Sequence, residues 1–150
     1  MKKELIAEFG HTLIEFYERF SAWEQEAVAE SQLSLPQMHT LEMLGHMEKP
    51  TMKELAQRLG VTTGTLTTMI DRLEQNELVE RRPNPDDRRS YLLSLTREGA
   101  AEFEKHHQFH IQLSEEISAS FSESELAAFN EYAKRVNDQF QPSKHPMRIE

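Results

Sequence analysis

Apolar side chains that recur at steps of three and four residues predict that most of this chain is helical. Such spacing places the apolar side chains on one side of an α-helix, which is then buried by packing. The clearest example lies between Lys3 and about Glu30, where the apolar positions are Leu5, Phe9, Leu13, Phe16, Phe20 and Trp23.

Residues that cap helix N-termini mark where the later helices begin. In a capping box, a Ser or Thr is followed three residues later by Gln or Glu, and each side chain bonds the other residue's backbone N–H. Such pairs begin at Ser34, Thr51 and Ser122, and Thr62 and Thr96 are further candidate caps. The helices predicted from these starts span about residues 34–47, 51–59, 62–75, 96–120 and 122–140.

After Asn76 the apolar pattern changes from helical to alternating, which is typical of β-strands. Residues 78–82 and 90–95 read as two short strands, and the second is rich in Tyr and Leu. The Pro-Asn-Pro-Asp-Asp segment at 83–87 lies between them and is typical of a turn. We therefore predict a β-hairpin.

The order of these elements predicts the fold class. Two helices joined by a tight turn at Gly60 and followed by a hairpin form a winged helix-turn-helix. We predict a mostly α protein with a small β-hairpin wing, in one domain spanning residues 1–150. The winged helix-turn-helix would occupy residues 34–97.

The second helix of the pair has the composition expected of a DNA recognition helix. Its apolar stripe (Leu66, Met69, Ile70 and Leu73) leaves a threonine-rich side facing outward. Threonine can bond base edges or phosphates through its hydroxyl and can contact thymine through its methyl group. The predicted contacts to double-stranded DNA are Thr62, Thr63, Thr65, Thr67, Thr68 and Arg72 on this helix, with Arg88 and Arg89 at the hairpin tip. A winged helix that binds protein instead of DNA is the alternative.

The charge distribution agrees with this placement, although the net charge of −9 argues at first against nucleic acid. Residues 49–97 hold nine basic and seven acidic side chains, so the acidic surplus lies in the flanking segments. The absence of cysteine excludes disulfides, a thiol nucleophile and thiol-based redox sensing. With no apolar run near the ~20 residues that span a bilayer and no signal peptide, we expect a cytoplasmic protein without a membrane partner.

The central region resembles the MarR family of transcription regulators. The resemblance is carried by residues 52–59, 61–73 and 78–82, and by the spaced motif Asp87-x-Arg89-x5-Leu95-Thr96-x2-Gly99. It implies a homodimer built from helices within residues 1–30 and 97–140. It also implies recognition helices in successive major grooves of a pseudo-palindromic operator.

The resemblance also gives roles to single residues of the wing. It implies that Asp87 and Arg89 pair to shape the wing, while Arg88 and Arg89 reach the minor groove. Two departures matter, because many family members have Arg where Thr68 stands and Gly where Glu77 stands. We expect Asn76 to adopt the left-handed helix cap in place of that glycine.

Short patches, among them Val61-Thr62-x-Gly64-Thr65 and Phe109-His110, resemble FabT-type repressors of fatty-acid synthesis. That resemblance implies an effector that is an acyl chain on acyl carrier protein, or another small apolar ligand. Neighbouring helices are rich in methionine, which suits an adaptable apolar pocket. The predicted effector pocket comprises Phe20, Met38, His39, Met43, His106 and His110.

The alternative effector is a metal ion, although no cofactor is expected to be required. His106 and His110 are four residues apart, so they share one side of a helix and could chelate an ion. Zinc-responsive members of the same family have a similar arrangement, and here Glu24 and His39 would complete the site. The same residues could in principle serve a hydrolytic metalloenzyme, but the sequence offers no nucleophile motif or phosphate loop. We therefore expect a regulator and not an enzyme.

Overall fold

A computed structural model describes residues 1–140. Its helices begin at the capping residues that the sequence contains. The tail from Gln141, predicted to be frayed, lies outside the described residues. The chain divides into two compact units, one spanning residues 1–106 and a second that begins at His107. Its elements are α1 Lys2–Val28, α2 Leu35–Gly45, α3 Met52–Leu59, α4 Thr63–Gln75, β1 Val79–Pro83, β2 Tyr91–Leu95, α5 Arg97–Ser118 and α6 Glu123–Asn137, followed by a 3-10 turn at Asp138–Phe140.

All three predicted capping boxes are present, at Ser34, Thr51 and Ser122. At Thr51 the backbone N–H donates to the Glu54 carboxylate over 2.8 Å, and the Thr51 hydroxyl donates to the same oxygen. These bonds lower the pKa of Glu54 because they favour its charged form. The same arrangement at Ser122 lowers the pKa of Glu125. Short-range sequence signals thus fix three of the helix starts.

The core of the first unit forms where α2, α3, α4 and the hairpin meet. Leu41, Leu55, Leu66, Ile70 and Leu73 are completely buried there. On α4 the last three of these recur at steps of four and three, as the predicted inward stripe requires. Burial of this stripe fixes which side of α4 faces solvent. The fold class is confirmed as mostly α with a two-stranded wing.

The wing is an antiparallel pair in which Val79 lies opposite Leu95 and Pro83 lies opposite Tyr91. Its second strand is joined to the start of α3, since the Leu93 N–H donates to the Pro50 carbonyl over 2.9 Å. Leu93 is completely buried. The wing is therefore attached to the core at its base, and its tip extends beyond the paired residues.

One local prediction is wrong. Asn76 caps α4 with φ −86 and ψ 9, outside the left-handed region, whereas Glu77 adopts the left-handed conformation with φ 58. The Glu77 N–H donates to the Glu74 carbonyl and the Leu78 N–H donates to the Leu73 carbonyl, as in a Schellman motif. Because Leu73 and Val79 are both buried, the chain must reverse one residue later than an asparagine cap would allow.

A close backbone approach joins α5 to the residues before β1. A Cβ on Gly99 would lie 1.9 Å from the Leu78 carbonyl oxygen, so only glycine fits there. The same oxygen accepts the Thr96 N–H over 3.1 Å, and the Thr96 hydroxyl caps α5 by accepting the Gly99 N–H over 3.0 Å. The hairpin and the first turn of α5 are held together by main-chain contacts.

The second unit contains the remainder of α5 and the whole of α6. Phe121 and Phe129 stack with ring centroids 5.8 Å apart, while Leu126, Phe129 and Tyr132 stay exposed on α6. No residue of α6 is buried within the chain. Within residues 1–140, no helix combines the length and apolar character needed to cross a membrane.

Candidate nucleic-acid interface

Helix α4 and its N-cap expose six of the eight side chains predicted to contact DNA. Its N-cap and first three turns carry these exposed side chains outside the buried stripe of Leu66, Ile70 and Leu73, namely Thr62, Thr63, Thr65, Thr67, Thr68 and Arg72. The helix N-terminus adds partial positive charge and unpaired backbone N–H groups, both of which favour a phosphate. This surface can therefore receive a DNA backbone and present side chains to base edges.

The threonine hydroxyls on α4 are largely engaged with the helix itself. The Thr62 hydroxyl oxygen accepts the Thr65 N–H over 3.1 Å and lies 2.9 Å from the Thr65 hydroxyl. The Thr67 hydroxyl donates to the Thr63 carbonyl over 2.8 Å. These bonds hold the threonine side chains in fixed conformations, which reduces the conformational entropy that they would lose on binding.

The tip of the wing is a turn held by its own polar side chains. The Asp87 carboxylate accepts the backbone N–H of Arg89 over 3.0 Å, and a pair between the two side chains stays a prediction. Asn84 accepts the Asp86 N–H over 3.0 Å and donates to the Ser90 hydroxyl over 2.9 Å. Arg88 and Arg89 belong to this turn and are exposed. The tip thus presents two guanidinium groups on an ordered support.

An ion-pair network that the sequence analysis did not predict joins the recognition helix to the wing. On β1, Arg81 Nη2 lies 2.5 Å from a carboxylate oxygen of Asp71, and Nη1 lies 3.5 Å from one of Glu74. Both acidic residues belong to α4. Their spacing of three residues puts the two carboxylates on one side of the helix, but only the folded hairpin brings Arg81 to them.

The neighbouring arginine on β1 pairs within the wing. Arg82 Nη2 lies 2.9 Å from the Glu80 carboxylate, which also accepts the Ser94 hydroxyl over 3.0 Å. The hydrogen bond from Arg82, and to a smaller extent the one from Ser94, lowers the pKa of Glu80 because both bonds favour the charged carboxylate. Arg81 and Arg82 therefore have different partners, although they are adjacent on one strand.

The residues predicted to form an effector pocket are divided between the two units, and His110 belongs to the second. In the first unit, Met38 and His106 are buried, while Phe20, His39 and Met43 are half-buried. Helix α1 carries a row of aromatic rings, since Phe20 stacks between Phe16 and Trp23 with centroids 5.8 Å away on each side. The effector pocket formed by these residues stays a prediction.

Of the three predicted metal ligands in the first unit, Glu24 and His39 pair with each other, whereas His106 lies near Glu42. His39 Nε2 is 3.1 Å from a Glu24 carboxylate oxygen. A carboxylate oxygen of Glu42 is within 4.8 Å of a ring nitrogen of His106 and of one of His46. Glu42 and His46 were not among the ligands predicted from the sequence. Their spacing of four residues, at the end of α2, was the available signal.

Comparison with known proteins places these elements in a family. Residues 33–91 match the family model described as MarR family. The multiple antibiotic resistance protein MarR of Escherichia coli is 42% identical over 84 residues, which cover 55% of this chain and 58% of that protein. This chain thus spans little more than half the length of that curated relative.

Solved structures match over a greater length. A structure of FabT from Streptococcus pneumoniae in complex with DNA has a TM-score of 0.81 and 27% identity, covering 87% of this chain and 94% of that one. A mutant of MarR from E. coli complexed with operator DNA has a TM-score of 0.71 and 30% identity, with the same coverage. With its capped recognition helix and its arginine-tipped wing, this chain belongs to the MarR family of winged-helix proteins.

Proposed function

We propose that this protein is a homodimeric, sequence-specific DNA-binding regulator of transcription that acts as a repressor. The observation that carries this proposal is the exposed threonine surface of α4, which lies in the same unit as a wing tipped by Arg88 and Arg89. Support comes from the similar FabT and MarR chains, which were crystallised with DNA. A repressor of this kind works in the cytoplasm and has no catalytic step.

The proposed binding mode follows from these two surfaces. Each protomer inserts the threonine-bearing half of α4 into a major groove, where Thr67 and Thr68 contact base edges. Arg88 and Arg89 at the wing tip contact the adjacent minor groove or its phosphates. Two protomers then read a pseudo-palindrome whose half-sites are about one helical turn apart. Specific contacts must supply most of the affinity, because residues 49–97 carry only a small positive surplus.

The first test separates phosphate contacts from base contacts on an operator selected from random duplexes. Arg88→Ala is expected to weaken binding to every duplex, by about tenfold, because it removes a contact that does not depend on sequence. Thr67→Ala is expected to change the preferred bases at about one position of each half-site, because it removes a hydroxyl and a methyl group. Electrophoretic mobility shift or fluorescence anisotropy measures both effects.

The control for this test is Lys105→Ala, which removes an exposed positive charge on α5 outside the proposed interface. It is expected to leave operator affinity within about twofold of wild type. If wild type binds no duplex in a salt-dependent manner, the proposal of DNA binding is wrong. Unchanged binding by both Arg88→Ala and Thr67→Ala would show that α4 and the wing are not the interface.

We propose an apolar effector that releases the operator, with an acyl chain on acyl carrier protein as the candidate. The half-buried Phe20 and Met43 and the buried Met38 would contribute apolar contacts, and the two methionines can adapt their shape to a ligand. Zinc is the second candidate, and it is favoured by Glu42 lying within 4.8 Å of both His46 and His106. Imidazole and carboxylate are common zinc ligands, which bind at about 2.0–2.2 Å.

One set of titrations distinguishes these effectors. The operator complex of untagged protein is titrated with zinc, with an acylated acyl carrier protein and with the same carrier lacking its acyl chain. Release by the acylated carrier alone supports the apolar effector. Stoichiometric zinc binding that His106→Ala abolishes, and that the exposed control His11→Ala retains, supports the metal. Absence of tight zinc binding by wild type excludes the metal, and absence of release by the acylated carrier excludes that effector.

A further inference from the structure

The Arg81 guanidinium group makes ion pairs between β1 and α4. Arg81 lies 2.5 Å from Asp71 and 3.5 Å from Glu74, which are three residues apart on the recognition helix. The Arg81 side chain is 24% exposed, so it is more shielded from solvent than either carboxylate. An arginine held by two carboxylates fixes direction as well as distance, because its donors form a rigid planar fork.

We infer that Arg81 is a positioning residue that sets the wing relative to the recognition helix, so that both can contact one duplex. This inference rests on the proposed function. Arg81 leads along β1 towards the tip that carries Arg88 and Arg89, while Asp71 and Glu74 follow the threonines on α4. The ion pair therefore links the two elements that carry the proposed DNA contacts, and it does so through residues that are not themselves proposed to contact DNA.

The same pairing changes the charge that the interface presents to DNA. Asp71 and Glu74 are acidic residues on a helix that must approach phosphates, and an unpaired carboxylate there repels the duplex. Arg81 pairs with both carboxylates and offsets one of their two negative charges within the protein. Removing Arg81 therefore lowers the affinity for DNA in two ways, because the wing becomes less restrained and the recognition helix becomes more negative.

The experiment compares Arg81→Gln with Arg82→Gln on the selected operator. Both variants remove one positive charge from β1, but Arg82 pairs with Glu80 on its own strand. Arg81→Gln is expected to lower operator affinity by about tenfold, and Arg82→Gln by less than about threefold. Equal losses in the two variants would overturn the inference, because charge alone would then explain them.

A double-mutant cycle with Arg88→Ala distinguishes positioning from a direct phosphate contact by Arg81. If Arg81 positions the wing, the losses from Arg81→Gln and Arg88→Ala overlap in part, and the double variant binds more tightly than the product of the two single losses predicts. If Arg81 itself contacts phosphate, the two losses multiply, and the inference is wrong. Urea unfolding of each variant checks that the folded fraction is unchanged.

Charge exchange provides a rescue that a direct contact between Arg81 and DNA would not give. Asp71→Arg combined with Arg81→Asp restores an ion pair between α4 and β1, and operator affinity is expected to return to within about threefold of wild type. Failure of this variant to bind better than Arg81→Gln, with folding intact, would contradict the inference. Failure of wild type to bind any duplex would instead refute the proposed function.

Discussion

Gly99→Ala is expected to destabilise the protein by about 3 kcal/mol or more, or to prevent folding. The added Cβ would lie 1.9 Å from the Leu78 carbonyl oxygen and 2.8 Å from its carbonyl carbon. These are backbone atoms, so no side-chain rotation relieves the clash. Moving Leu78 away would break the bonds that its carbonyl and N–H make with Thr96 and Leu73. Urea unfolding at fixed protein concentration measures the loss.

The matched control for this prediction is the same substitution at Gly64. A Cβ there would lie 3.9 Å from the Thr62 hydroxyl, which is an ordinary contact. Gly64 lies in the first turn of α4, so alanine is expected to leave stability unchanged or raise it by up to about 1 kcal/mol. If Gly99→Ala were as stable as wild type, the close approach between α5 and the hairpin would not constrain the fold.

Phe9→Arg is expected to abolish the proposed homodimer and to lower operator affinity by at least about a hundredfold. Helix α1 leaves a continuous apolar surface exposed, formed by Leu5, Ile6, Phe9, Leu13, Phe16 and Tyr17. A contiguous exposed patch of this kind marks an interaction surface, and a second copy is the partner proposed here. A buried, unpaired guanidinium at its centre opposes that association.

The loss of DNA affinity follows from geometry, because a monomer can occupy only one half-site at a time. A duplex with a single half-site should therefore bind wild type and Phe9→Arg with similar affinity, while a full operator should not. Phe9 is 57% exposed within the protomer, so its replacement does not disturb the core. Analytical ultracentrifugation gives the oligomeric state, and fluorescence anisotropy gives the affinities.

His11→Arg is the control for added charge on α1. His11 lies two residues from Phe9 and so about 200° away around the helix, outside the apolar surface. It is expected to remain dimeric and to bind the operator as wild type does. A dimer that persists at micromolar concentration in Phe9→Arg would show that this surface of α1 is not the interface.

Helix starts and the hairpin could be predicted because their signals are local. The Thr51–Glu54 capping box needs only residues three apart, and the structure contains it. The alternation of apolar residues around residues 78–95 likewise predicted the wing, within about one residue at each strand. The helix ends were less accurate, since α2 ends at Gly45 and α5 at Ser118. Helix C-termini carry weaker local signals than capped N-termini.

The predicted asparagine cap failed because a non-local constraint decided the turn. Propensity favours asparagine over glutamate in the left-handed conformation, and Asn76 was the better local candidate. The structure places that conformation at Glu77 because Leu73 and Val79 must both reach the core. Burial of two apolar residues outweighs the local preference at one exposed position.

By itself the sequence determined the order of elements, the capped starts of the helices, the threonine surface of α4 and the arginines at the wing tip. Those features depend on neighbours a few residues away, and an amphipathic period decides which side of a helix is buried. Only the tertiary structure decided which charges distant in sequence meet, as when Arg81 reaches Asp71 across ten residues of chain. It also decided that the backbone at Leu78 lies so close to Gly99 that a larger residue does not fit. Contacts between residues far apart in the chain depend on how whole helices and strands pack. A local sequence pattern does not encode that packing.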